Sequence, residues 1–227
     1  MRTGPLVCGL VLLATLVWGS QLSVGLVVRD AYDRTRQVSA GRLDAALLTF
    51  RPPGRPGGTR PLDPADLAPD RAVRTEPRAC SPLTLLAQDA PAGRFPLDGA
   101  SWTGAQGSPA QPVTLLVVRY ADADAARGSL NAKRTALWRC RQVQLTFPPF
   151  TEPAQSFTVH GAAAGLVTRT DRLTYRLDGP AASYVFYVRR YANTVIWSYA
   201  DDVSTPAVRR FVVDSLATRL RDIARER

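Results

Sequence analysis

The chain has 227 residues, with 29 Lys+Arg against 19 Asp+Glu and a formal net charge of +10. The excess is spread along the chain, +3 over 29–79, +2 over 80–140 and +4 over 141–227, with acids in each segment, which argues against a nucleic-acid surface and leaves a generally cationic exterior. His160 is the sole histidine and no CxxC spacing occurs, so no metal site is expected; P-loop, dinucleotide and nucleophile-elbow motifs are missing too, so no cofactor is expected.

Residues 5–28, PLVCGLVLLATLVWGSQLSVGLVV, carry no charged side chain. As a helix this stretch would be about 36 Å long, and a bilayer core is about 30 Å thick. The expectation is a single-pass membrane anchor over 1–28. The alternative is a cleaved signal peptide, with Met1 and Arg2 as the n-region, 6–17 as the h-region and cleavage after Gly19. A buried soluble helix is the third reading. Pro-Leu-Val before Cys8 does not make a lipoprotein site.

Arg29, Arg34 and Arg36 after the span outnumber Arg2 before it, so the positive-inside count points the globular part inward. The cysteines point outward. Cys8 lies in the apolar run, which leaves Cys80 and Cys140 as an even pair, and in an exported domain such a pair reads as one disulfide. Two unrelated reduced core cysteines are the alternative.

Residues 29–79 read as a juxtamembrane helix, resumed at 43–48, followed by a linker. Seven prolines and three glycines fall in 51–79, which no single regular element accommodates. Polyproline character there would hold the domain off the bilayer. The compact domain is expected over 80–227. Ser81-Pro82 suggests an N-cap and first turn for a short helix over 83–88. PVTLLVVRY (112–120) is apolar on both faces and predicts a central strand.

Asp122 or Asp124 then caps a helix running to Cys140. Further strands are predicted at 142–147, 156–161, 165–170 and 172–177. The clearest hairpin joins 183–191 to 194–200 through Ala192-Asn193, where asparagine tolerates a left-handed conformation. Thr205-Pro206 starts a final helix with Val208, Phe211, Val212, Leu216, Leu220 and Ile223 on one face. Short turns between consecutive strands imply an α+β fold, an antiparallel sheet flanked by helices, with the helices on one face.

Chemical candidates are few. A Ser-His-Asp arrangement would have to use His160, which sits in a strand-like segment beside Gly161. Asp122/Asp124 and Asp201-Asp202 sit at strand-to-helix junctions, where acids cap helices. No catalytic residue is therefore assigned. Trp102, Trp138, Trp197, Tyr184, Phe186 and Tyr187 supply aromatic material for a groove or for the core. Trp197 and Tyr199 share one strand face, Ile196 and Ser198 the other, and one set would line a groove on the uncovered sheet face. Trp197, Tyr199 and Tyr184 are the ligand-contact candidates.

PLDPADL before a cysteine, TLLVVRYADADAARGSLNAKRTALWRC, and RRYANTVIWSYA followed by AVRRFVVDSLATRL together resemble the extracytoplasmic sensor domain of actinobacterial receptor Ser/Thr kinases of the PknH type and its free-standing envelope relatives. The resemblance covers roughly 60–225. It implies an antiparallel sheet flanked by helices, a disulfide at Cys80 and Cys140, and a cleft for an unidentified ligand. The sequence departs from that pattern in lacking a second cysteine pair, in lacking kinase motifs, and in placing Ala192 before Asn193 where relatives place glycine. Signalling by phosphorylation is therefore not expected of these residues. The functional expectation is a non-catalytic extracytoplasmic domain, tethered through 5–28 or secreted if cleaved, binding a small or lipidic ligand or a membrane partner. A structural envelope protein without a ligand, and a hydrolase, are the alternatives.

Overall fold

The computed structural model describes residues 37–50, 57–61, 73–84, 97–104, 113–147, 149, 151–161, 171–201 and 206–225. The predicted span at 5–28 and the predicted strand at 165–170 lie outside them. In chain order the elements are α1 (Ala40–Leu48), β1 (Gly57–Pro61), β2 (Arg74–Glu76), a 3-10 helix (Arg78–Leu83), β3 (Asp98–Gly104) and β4 (Val113–Arg119). Then come α2 (Ala123–Arg139), β5 (Gln142–Thr146), β6 (Gln155–Gly161), β7 (Arg172–Asp178), β8 (Ser183–Tyr191), β9 (Thr194–Asp201) and α3 (Pro206–Arg225).

All nine described strands form one sheet in the order β1-β3-β4-β9-β8-β7-β6-β5-β2. Every neighbouring pair is antiparallel, from Gly57↔Gly104 at one edge to Glu76↔Gln144 at the other. The fold is α+β, as the alternation of the strands predicts. Residues 57–61 and 74–76, which the proline content assigns to a linker, supply both edge strands. Proline is compatible with a sheet edge, where a missing N–H leaves no ladder bond broken.

The helices cover both faces of the sheet, not one. On the first face α2 and the 3-10 helix enclose Val118, Tyr175, Phe186, Val188, Val195 and Trp197. On the second, α1 and α3 enclose Leu115, Val117, Tyr187 and Ile196 with Leu43, Leu47, Val213, Leu216, Ala217 and Leu220. Two-sided burial follows from the central strands: Leu115 to Val118 and Val195 to Trp197 are apolar at every position, so each face must be covered. The second face stays polar and open over β5 and β6, where Gln142, Gln144, Ser156, Thr158 and His160 are exposed.

Ser81 and Pro82 lie inside the 3-10 helix, and residues 85–88 of the short helix predicted at 83–88 lie outside the described residues. Asp122 does cap α2, its side chain accepting from the Ala125 N–H at 2.7 Å. At the β8–β9 turn the left-handed residue is Ala192, with φ of 49°, and not Asn193. Asn193 is reserved for another task.

Candidate functional site

The buried side of α2 carries Ala126, Leu130, Lys133 and Ala136 at helical spacing. Lys133 is fully buried, although a lysine is rarely so placed without partners. Its Nζ lies 3.7 Å from the centroid of the Trp197 ring and donates to the Pro82 carbonyl at 2.8 Å. Burial holds the Lys133 amine well below the ordinary lysine range. Beside it the Tyr175 hydroxyl, its acidity weakened by the same desolvation, donates to the Leu83 carbonyl at 2.7 Å.

The last two carbonyls of the 3-10 helix are thus taken by side chains from α2 and β7. The hydroxyls of Thr75 and Thr84 meet at 2.9 Å nearby. Cys80 in the 3-10 helix is bonded to Cys140, the C-cap of α2, with the Cα atoms 6.0 Å apart. The expected disulfide is therefore part of a compact anchor that pins the 3-10 helix onto α2.

A second buried hub sits at the opposite end of α2. The Val38 N–H donates to Asn193 Oδ1 at 2.8 Å, and Asn193 Nδ2 donates to the carbonyls of Val38 at 3.3 Å and Tyr120 at 2.9 Å. One amide so ties the segment entering from the N-terminal stretch to the turn of the central hairpin and to the approach to α2. The Tyr120 hydroxyl donates to Ser129 Oγ at 3.0 Å, and burial pushes its pKa up to about 12.

Charged groups pair across elements. Asp214 of α3 receives Arg189 at 2.5 Å and Arg172 at 3.5 Å. On the open face Asp178 receives Arg176 at 2.6 Å and lies 3.2 Å from His160 Nε2. Desolvation works against the Asp178 carboxylate. Hydrogen bonds from Ser183 and Arg176, with the charges of Arg176 and His160, outweigh it and hold the group below the ordinary range. His160 is half exposed and, among the described residues, no hydrogen bond joins it to a hydroxyl or thiol. The geometry gives no nucleophile–base pair there. No group of three or more potential metal ligands occurs among the described residues.

Trp197 is buried under Lys133, so a ligand would reach its ring only by displacing that side chain. Tyr184 is partly buried on the same face, its ring 5.8 Å from that of Phe157. Tyr199 pairs with Phe186 in the ladder, and its side chain lies outside the description. The sheet therefore brings Trp197 and Tyr184 to one face, both packed against the core under α2. Lys133 and the side chain of Asn193 belong to no motif in the sequence. For Lys133 a signal existed: it stands three residues after Leu130 and four before Leu137, on the apolar stripe of a predicted helix.

No protein-family model and no curated relative matches the chain. Among solved structures it is similar to the extracellular domain of PknH from Mycobacterium tuberculosis, with a TM-score of 0.54 and 14% identity. The match covers 82% of this chain and 93% of that one. Among the described residues no helix is long and apolar enough to cross a membrane. The chain shares the fold of that extracellular domain.

Proposed function

We propose that the chain is a membrane-tethered, extracytoplasmic, sensor-like domain that engages an envelope ligand or partner and performs no catalysis of its own. The observation that carries this reading is the shared fold with a receptor ectodomain, in a chain that also holds a disulfide of the kind oxidising compartments sustain. The 24-residue uncharged stretch at 5–28 supplies the tether.

Two modes of engagement are open to such a domain, and the packing favours docking of a partner over capture of a small molecule. Trp197 beneath Lys133 and Ile196 within the α1/α3 core fill both faces at the sheet centre. Among the described residues Trp138 is a large aromatic that faces solvent, 80% exposed. Native mass spectrometry of the purified full-length chain tests this. Docking predicts the bare mass of the chain, whereas a stoichiometric copurifying small molecule makes it a ligand receptor.

A further inference from the structure

We propose that the outer side of α2, ending in Trp138, lies on the anionic surface of the bilayer that holds the N-terminal segment. The inference rests on the tether proposed above and names the surface that the domain meets.

The first observation is charge. Between Asp124 and Glu152 the sequence runs 27 residues without an acid, and it holds Arg127, Lys133, Arg134, Arg139 and Arg141. Lys133 points into the core. Asn131 and Trp138, two turns apart, lie on the exposed side of α2; beside them Arg127 and Arg134 are partly buried, Arg127 paired with Asp124 at 3.1 Å and Arg134 donating to Asn131 Oδ1 at 2.9 Å and to the Arg172 carbonyl at 3.5 Å. The disulfide gathers more charge at the end of this side. Arg139 and Arg141 flank Cys140, and Arg78 lies two residues from its partner Cys80; all three are exposed. The nearby acid Glu76 alternates with Thr75, whose side chain is buried, so Glu76 belongs to the other face of the sheet.

The second observation is Trp138 itself. An indole that is four-fifths exposed among arginines costs apolar hydration in water. At a bilayer interface it finds the amphipathic environment that tryptophan prefers, while arginine heads meet lipid phosphates. Each basic side chain near an anionic leaflet contributes about 1 kcal/mol.

The third is reach. Val38, clamped by Asn193, sits beside Tyr120 and hence near the start of α2. The nine residues 29–37 between the uncharged stretch and Val38 span at most about 30 Å when extended. Trp138 lies about 22 Å along the helix from Ala123. A domain lying on its α2 side therefore brings both the tether and Trp138 to one bilayer.

The test uses the full-length chain in vesicles of phosphatidylcholine alone or with about one-third phosphatidylglycerol, with bromine on the acyl chains. Subtracting the fluorescence of Trp138→Phe from that of the native chain isolates Trp138 from Trp18, Trp102 and Trp197. Docking predicts that this difference signal is quenched in anionic vesicles and recovers in phosphatidylcholine or high salt. Each of Arg78→Gln, Arg139→Gln and Arg141→Gln should lower the docked-to-free ratio on the order of five-fold. An unquenched Trp138 in anionic vesicles, or equal quenching in both lipids, overturns the proposal; an acidic protein partner would give the first result. Alkaline extraction of the same vesicles reads the tether separately. Quenching by an extractable chain keeps the docking and removes the tether, whereas an unextractable chain with Trp138 unquenched does the reverse.

Discussion

Lys133 Nζ stands 3.7 Å from the centre of the Trp197 ring, and both side chains are buried. The lysine acts as a spacer between α2 and the sheet, with its methylenes packed and its amine spent on the Pro82 carbonyl. Burial lowers its pKa from 10.5, so between that lowered value and 10.5 the unfolded chain binds more protons than the folded one. Stability contributed by this group is present at high pH and lost as pH falls through the folded value. Above pH 10 the raised pKa values of Tyr120 and Tyr175 act oppositely, because the unfolded tyrosines ionise first. Urea denaturation of the native chain from pH 7 to 10 should show a rise in stability that is missing from Lys133→Met. Parallel profiles for the two chains would contradict the assignment.

Asn193 satisfies one buried N–H and two buried carbonyls at once. Asn193→Ala strands all three, at about 1–3 kcal/mol for each unsatisfied group, so a total loss on the order of 3–9 kcal/mol is expected from denaturant midpoints. Asn193→Asp retains the acceptor for Val38 but turns a charged oxygen toward two carbonyls. It should be at least as destabilised, and near-native stability of that variant would refute the hub.

The Cys80–Cys140 bond closes a separation of 60 residues. In the chain-entropy model its loss costs about 4 kcal/mol. The double substitution Cys80→Ala/Cys140→Ala should lower the midpoint accordingly and expose the 3-10 helix to proteolysis ahead of β8 and β9. Cleavage beginning in the central hairpin would mean that the bond pins something else.

Gly179 follows β7 at a place where a Cβ would come within 2.4 Å of the Phe157 ring. Phe157 is buried, with the Phe147 and Tyr184 rings around it, and has little room to retreat. Gly179→Ala should cost about 1–3 kcal/mol by overpacking. Adding Phe157→Leu should recover part of the loss, and a strictly additive double variant would rule out the clash.

Legibility in the sequence followed the range of the interactions. Strands β4, β8 and β9 and helices α2 and α3 announce themselves through local period and caps, because the apolar pattern of each is written within a few residues. The edge strands GGTRP and RTE have no such pattern. They are held by backbone bonds to Gly104 and Thr146, distant in sequence, which propensity does not record. The covering of both faces was encoded in Leu115–Val118, apolar on both sides, yet where α1 would land depended on Asn193 and Val38, 155 residues apart. The disulfide was readable by cysteine arithmetic; the buried lysine beside it contradicts residue averages and is visible only by its helical phase.

The placement of the domain outside the cytoplasm is tested most directly by counting thiols. The full-length chain, denatured without reductant from freshly lysed cells, is treated with a large maleimide polymer and resolved by size. An anchored extracytoplasmic domain has Cys80 and Cys140 bonded and Cys8 retained, so the predicted result is one tag per chain. Three tags, with both domain cysteines free, would contradict the account.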